Sequence, residues 1–398
     1  MTPLRFEAAR RCVSERVFEH RELPRIQHVA LECAAGRILA EDIHADRDYP
    51  PRARSIRDGF AVSAAGFTGR ARVVGEVRAG EIYRGRVGAG EAVEIMTGAS
   101  LPECADAVIM VEHVQRDGDI ITTKAEVKPG DFVNAHGAES KAGARVLERG
   151  ERIDFAGIAV LATVGVSQVP VYDQPRVAIV GTGDELVAPT DSPGEHQVRN
   201  SNSYALAAQV ASSGGRPAIA PIARDNYDAS REIIEAALAD SDLLLLSGGV
   251  SAGKYDIVER VLGDLGAEFY FDRALIQPGQ PVVFGRVRGT FFFGLPGNPA
   301  STMVTFEIFA RAALELIAGA REAPLRIVAA RLAQDFRHKP GLTRFLPGRL
   351  ADGDAAVTPV RYNGSGDVFA LGRANCFIVA RDDRESWQRD QTIEVLAR

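Results

Sequence analysis

The segment from 175 to 318 constrains the fold most, because short continuous apolar runs alternate in it with amphipathic stretches. RVAIVG at 176–181 and DLLLL at 242–246 read as buried strands. SYALAAQVASSGG at 203–215 reads as a helix closed by glycines. DASREIIEAALAD at 228–240 reads as a second helix, capped by Asp228 or Ser230. A helix from Tyr255 to Leu262, strands at 267–271, 281–286 and 290–294, and a long helix over about 298–318 complete the pattern. Strands alternating with helices predict parallel βαβ units, and so a central doubly wound α/β domain.

The flanking sequence has other periods. Residues 4–18 read as a short amphipathic helix. From 55 to about 137 the alternation has a period of two and is cut by glycines, which predicts an all-β module. Residues 154–164 return to helical spacing with Asp154 at the N-cap. The tail from 325 to 398, with RIVAARL, AAVTPVRY, NCFIVAR and TIEVLAR, is β-rich again. The predicted architecture is therefore multidomain α/β plus β. It comprises an N-terminal helix (1–26), a connecting domain (27–54 and 138–172), an all-β insertion module (55–137), the α/β domain (173–322) and a C-terminal β domain (323–398).

Charge excludes some functions. With 47 basic and 53 acidic residues the net charge is −6, and no basic tail offers phosphates a binding site, so no nucleic acid is expected as partner. The apolar runs are too short to span a bilayer, and no signal-type segment opens the chain, so no membrane partner is expected. Cys12, Cys33, Cys104 and Cys376 form no CxxC and have no histidine at metal-ligand spacing, which fits reduced thiols and a cytoplasmic location. Lysine occurs only at 124, 128, 141, 254 and 339, so anion binding must rest on arginines, backbone N–H groups and metal ions.

In an open parallel sheet, ligands bind beyond the carboxyl ends of the strands. Three glycine motifs fall there: Gly181-Thr182-Gly183-Asp184-Glu185, Ser247-Gly248-Gly249-Val250-Ser251-Ala252-Gly253, and Gly294-Leu295-Pro296-Gly297-Asn298-Pro299. Glycine lets the backbone approach a ligand and present N–H groups to phosphate oxygens. Neither GxGxxG with a distant ribose carboxylate nor GxxxxGK[ST] is present, which excludes the common dinucleotide and P-loop sites. Asp184, Glu185 and Asp256 beside these loops fit either capping or a cation; Mg²⁺ would remove the repulsion between carboxylates and a phosphorylated ligand. Gln277-Pro278-Gly279-Gln280-Pro281 is a fourth tight turn in the same half. Asp58-Gly59, after the Pro50-Pro51 break, fits a plain turn, and Thr97 fits a structural hydroxyl, if each is taken alone.

Together the motifs are specific. SIRDGFAV at 55–62, EIMTGASLPECADAVIMVE at 94–112, TGDEL at 182–186, SGGVSAGKYD at 247–256, QPGQP at 277–281 and GLPGNP at 294–299 occur in order. The chain thereby resembles the molybdopterin molybdenumtransferase family, the MoeA-type proteins of molybdenum cofactor biosynthesis. The resemblance implies an elongated homodimer whose 173–322 segment is a molybdopterin-binding, adenylyltransferase-like domain. The implied reaction joins molybdate to adenylylated molybdopterin, with Mg²⁺, and releases AMP and molybdenum cofactor. Molybdopterin adenylyltransferase and molybdoenzyme apoproteins or chaperones are the implied partners. It marks Asp58, Thr97, Glu185, Asp225 and Asp256 as catalytic, with Glu185, Asp256 and Asp184 on the metal. Thr182, Gly183, Asp184, Ser247, Gly248, Gly249, Ser251, Gly253, Arg273, Gln277, Pro296, Gly297, Asn298, Pro299, Arg344 and Ser365 are marked as substrate-binding.

The chain also departs from the family pattern. Its usual Lys-Pro-Gly-Lys-Pro turn is Gln277-Pro278-Gly279-Gln280-Pro281, Arg273 stands where lysine is common, Cys104 replaces a usual glycine, and Asn200 replaces a usual acid. The lost lysines keep open a non-catalytic scaffold with the same fold, and the α/β module keeps open an adenylyltransferase-like step.

Overall fold

The structure, a computed structural model, describes residues 1–249, 257–353 and 355–397. Its central sheet has six strands in the order Arg216–Ile219, Arg176–Gly181, Leu243–Ser247, Thr290–Leu295, Val283–Val287, Glu268–Phe271. The first four are parallel. Both faces are covered, which is why the strands read as unbroken apolar runs. Val177, Ile179, Leu243, Leu245, Phe291 and Phe293 pack into one layer, and Ala178, Val180, Leu244, Leu246 and Phe292 into the other. Each buried Leu or Phe contributes about 1.5–3 kcal/mol relative to exposure.

The first layer includes Leu206 and Val210 of helix Asn202–Ser212 and much of the 299–317 helix. It also takes in Phe6, Ala9, Val13 and Val17, so the N-terminal helix Phe6–His20 is part of the α/β core. The second layer holds Ile234 and Leu238 of Tyr227–Ala239, and Val258, Val261 and Leu262 of Ile257–Asp264.

Two local expectations need correction. The sheet is not parallel throughout: Val283–Val287 and Thr290–Leu295 form an antiparallel hairpin, and Glu268–Phe271 pairs antiparallel beyond it. The cause is the two-residue turn Arg288-Gly289, both with positive φ (49° and 91°), a turn whose twist matches a hairpin. The cap of Tyr227–Ala239 is Asn226, whose side chain accepts from Ala229 N at 3.1 Å, rather than Asp228 or Ser230. The helix expected from Tyr255 is described as Ile257–Asp264, its first two positions lying outside the described residues. Thr343–Leu350 is a strand despite Pro347 and Gly348, held by pairing on both sides. By contrast, Asp154 caps Phe155–Thr163, as expected, through Gly157 N at 2.8 Å.

Three further sheet systems surround this core. Ala107–Met110, Gly59–Val62, Glu91–Ile95, Arg70–Val77, Ile120–Thr122 and Gln115–Asp117 form a six-stranded β unit. Ile26–Ala30 pairs with Gln168–Tyr172, and Ile43–His44 with Arg145–Leu147. Near the C-terminus, Thr343–Leu350, Ala356–Pro359, Ile327–Leu332, Thr392–Ala397 and Cys376–Ala380 pair in sequence, and Cys376–Ala380 pairs back to Thr343–Leu350, closing a ring. The strand Ile276–Gln277, from the middle of the chain, joins the edge of this last sheet.

Candidate active site

The three glycine loops lie at the carboxyl ends of adjacent parallel strands, and backbone hydrogen bonds stitch them together. Thr182 N donates to Ser247 O at 2.9 Å, Gly183 N to Ala223 O at 3.0 Å, and Gly248 N to Leu295 O at 3.1 Å. A methyl at Gly248 would lie 2.7 Å from Thr182 O, and one at Gly297 would lie 3.6 Å from Gly248 Cα. Thr182, Ser247, Gly248 and Pro296 are buried, while Gly249, Gly297 and Asn298 face solvent. Pro299 stands at the first turn of helix Pro299–Thr305 after the cap Asn298.

A residue absent from the sequence-based set ties the loops further. Asn202 donates from Nδ2 to Ser247 Oγ at 2.9 Å and to Gly297 O at 2.7 Å. A carbonyl can only accept, so Gly297 O fixes the amide orientation, and the Oδ1 of Asn202 is left buried without a partner. The signal was two asparagines, Asn200 and Asn202, at the opening of helix Asn202–Ser212. The other, Asn200, is a cap: Ser203 N donates to its Oδ1 at 3.1 Å.

The acidic residues differ in their environments. Asp184 Oδ1 accepts from Asp225 N at 3.1 Å, and Arg224 Nη1 holds the carbonyls of Asp184 and Leu186 at 2.9 and 3.0 Å. Asp225 is exposed. The Glu185 carboxylate has no ion pair or hydrogen bond among the described residues and folds back over Gly183. A Cβ at Gly183, where φ is +134°, would lie 2.2 Å from Glu185 Oε2. The positive φ favours glycine there, while the carboxylate, at the end of an exposed flexible side chain, could swing aside from a Cβ. Among the described residues no group of three His, Cys, Asp or Glu side chains holds a metal unaided. One free carboxylate beside loops of backbone donors does fit Mg²⁺, which takes one or two carboxylates and fills its other positions with phosphate oxygens and water. Ser251, Gly253 and Asp256 lie outside the described residues.

Asp58 and Thr97 meet in the β unit. Thr97 donates to Asp58 Oδ1 from its backbone N at 2.6 Å and from Oγ1 at 2.7 Å. These bonds, the side-chain one foremost, hold the Asp58 carboxyl below the usual carboxylate range. No hydrogen bond or ion pair among the described residues joins this pair to the glycine loops of the same chain.

The remaining candidates gather where the α/β core meets the C-terminal sheet. Ile276 pairs with Thr343 and Gln277 with Arg344. Arg344 Nε is buried without a partner there. Ser365 O accepts from Ala300 N at 2.9 Å, which ties the 364–367 loop to the start of helix Pro299–Thr305. Arg273 is half-buried, and its carbonyl accepts from Leu4 N at 3.1 Å.

Comparison with known proteins covers nearly the whole chain. The MoeA N-terminal region (domain I and II) matches residues 4–165, the "probable molybdopterin binding domain" 178–316, and the MoeA C-terminal region (domain IV) 329–397. A molybdopterin molybdenumtransferase of Staphylococcus aureus is 34% identical over 377 residues, 92% of this chain and 90% of that protein. One from Staphylococcus epidermidis is 32% identical over 387 residues, 95% and 92% of the two chains. The crystal structure of a molybdopterin biosynthesis moeA protein from Pyrococcus horikoshii OT3 covers 100% of both chains at 28% identity with a TM-score of 0.81. A second Pyrococcus moeA structure, at 32% identity, gives 0.73 over 100% of this chain and 99% of that one. Matched from one end to the other in sequence and in fold, this chain belongs to the molybdopterin molybdenumtransferase family.

Proposed function

We propose that the chain is a molybdenum insertase, which transfers molybdenum from molybdate to adenylylated molybdopterin and releases AMP. The observation that carries this reading is the stitched set of three strand-end loops with the free Glu185 carboxylate beside it. Backbone N–H groups of the loops hold the phosphates, and Asn202 keeps two of the loops in register. Glu185, with Asp184 and Asp256, would hold Mg²⁺, which supplies charge neutralisation at the phosphoanhydride. Arg344, with its spare Nε–H, faces the molybdate oxygens together with Arg273, Gln277 and Ser365. Arginine's fork of donors takes over from the lost lysines.

In this reading Asp58 and Thr97 serve the loops of a second copy, so the working enzyme is a homodimer. Asp58 stays ionised through its two Thr97 bonds and keeps its free oxygen as an acceptor for the ligand; Asp225 lines the same mouth. The donor of substrate would be a molybdopterin adenylyltransferase, and the recipients molybdoenzyme apoproteins or chaperones, in the cytoplasm. Among the described residues no helix is long and apolar enough to cross a membrane.

The test is direct. Purified chain, adenylylated molybdopterin, Mg²⁺ and molybdate should yield active cofactor and stoichiometric AMP. Nucleotide transfer to molybdopterin would instead mark an adenylyltransferase, and tight pterin binding without turnover a scaffold.

A further inference from the structure

An open recess of about 420 Å³ lies on the C-terminal ring of strands and shares no lining residue with the glycine loops. Its volume is within the usual range of small-molecule sites. Arg349, Ala351, Thr358, Pro359, Val360 and Arg373 line it, and none of these is acidic. Two guanidinium groups therefore share a wall with no lining carboxylate.

Strand pairing dictates this convergence. Thr343–Leu350 and Ala356–Pro359 pair antiparallel, with Arg349 opposite Thr358 and Leu350 opposite Val357. Successive side chains of a strand point to opposite faces. Val357 is fully buried and Leu350 packs against the same apolar cluster. Arg349 and Thr358 consequently face outward side by side, and both are exposed. The hairpin is held at both ends: Ala351 N donates to Ala356 O at 2.8 Å, and Val360 N to Pro347 O at 2.9 Å. Arg373 comes from the end of helix Val368–Arg373. Asn375, two residues on, clamps that end to the strand. Its Oδ1 accepts from Leu350 N at 2.7 Å, its Nδ2 donates to Leu350 O at 2.9 Å, and its backbone N donates to Gly348 O at 3.0 Å. Fixed backbone, not a shared acid, brings the two arginines together.

Their donors are available. Neither arginine has an ion pair among the described residues. Arg349 gives one N–H, from Nη1, to the Arg373 carbonyl at 3.4 Å, and the rest of its guanidinium is free. The Arg373 side chain and the Thr358 hydroxyl make no hydrogen bond among the described residues. Nearby acids do not neutralise the wall. Asp367 accepts from Ala370 N at 3.0 Å and from Asn363 N at 3.1 Å, and feels Arg373 only at longer range. Asp352 follows Ala351 at the hairpin turn and does not line the recess. Holding two like charges side by side costs Coulomb energy that a bridging anion removes.

We propose that this recess binds the phosphate group of a small monoester with an apolar body. Such a phosphate carries about −1.5 to −2 charges at neutral pH, which matches two guanidinium groups. Each planar fork takes phosphate oxygens, and Thr358 adds a hydroxyl donor. A carboxylate would leave one cation uncompensated. Ala351, Pro359 and Val360 supply an apolar floor that bare phosphate leaves unused. The inference is independent of the molybdenum chemistry.

Calorimetric titration of the full chain with phenyl phosphate, inorganic phosphate and benzoate, at matched ionic strength, tests this. The glycine loops also offer donors to phosphates, so the recess is identified by variants remote from those loops. Arg349→Ala and Arg373→Ala should each weaken one phenyl phosphate site roughly tenfold or more, as for loss of a charge-assisted hydrogen-bonded contact. Thr358→Val, which preserves the strand, should weaken the same site about threefold, as for a neutral hydrogen bond. Inorganic phosphate and benzoate should both bind that site more weakly, the first for want of a ring and the second for want of a charge. Cofactor formation should be unchanged in all three variants. Phenyl phosphate binding untouched by both arginine substitutions would overturn the site. Benzoate binding as tightly as phenyl phosphate would overturn the assignment to a phosphate, and inorganic phosphate binding as tightly would overturn the apolar body.

Discussion

At the scale of single residues, hydrogen-bond partners decide which charged groups remain available. Asp58 accepts twice from Thr97, so its carboxyl loses its proton at lower pH than an unpartnered one. The folded-state pKa is depressed, so the contribution to stability is complete above the ordinary carboxylate pKa and is lost as pH falls through the folded value. Carbon-detected NMR should place the Asp58 midpoint below the ordinary range, and Thr97→Val should move it upward. An unmoved midpoint would assign the shift to another neighbour. Glu185 is the opposite case, a carboxylate with no protein partner among the described residues, which the proposed function assigns to a cation. Glu185→Gln should leave the melting temperature unchanged and lower the transfer rate on the order of 10²-fold, as for loss of one preorganised electrostatic group. Wild-type turnover in that variant would remove it from the cation site. Cys104 stands at φ 69°, a conformation that suits the glycine usual there, and its Sγ lies 3.4 Å from Arg86 Nη2. Left-handed backbone costs a non-glycine residue roughly 1–2 kcal/mol. Cys104→Gly should therefore raise unfolding free energy by about 1 kcal/mol in denaturant titration, since glycine's extra unfolded-state entropy offsets part of the gain.

At the scale of elements, close backbone approach matters more than turn chemistry. Asp58-Gly59 reads as a turn signal in the sequence, yet Gly59 begins the strand Gly59–Val62, which pairs on both sides. A Cβ there would lie 1.9 Å from Ile109 O and 2.8 Å from Ile109 C. Backbone of a paired strand cannot move aside without breaking its ladder. Gly59→Ala should cost about 3 kcal/mol, the upper end for overpacking, and should displace the neighbouring Asp58. Thermal unfolding measures the first effect, and the Asp58 titration the second. An alanine variant as stable as the natural chain would show that the two strands are not packed as described.

At the scale of the whole molecule, the separation of the Asp58–Thr97 pair from the glycine loops is the governing fact. If the site is completed by a second copy, mixing Asp58→Ala subunits with Glu185→Ala subunits should restore activity. One of the two sites in each heterodimer would then carry both intact residues, and statistical pairing puts half of all dimers in that class. Activity no higher than that of either variant alone would place both residues in the same subunit's site.

The sequence by itself determined the layered α/β core, because strands covered on both faces must be continuously apolar, as RVAIVG and DLLLL are. It also placed the glycine loops at the strand ends, since the order of strands and helices dictates where those ends fall. Asp154 could be identified as a cap because that bond spans only three residues. Long-range partners could not be read this way. Gln277 beside Arg344, the N-terminal helix inside the core, and Asn202 spanning to Ser247 and Gly297 join residues 45 to several hundred positions apart. Nothing in local spacing encodes such pairs.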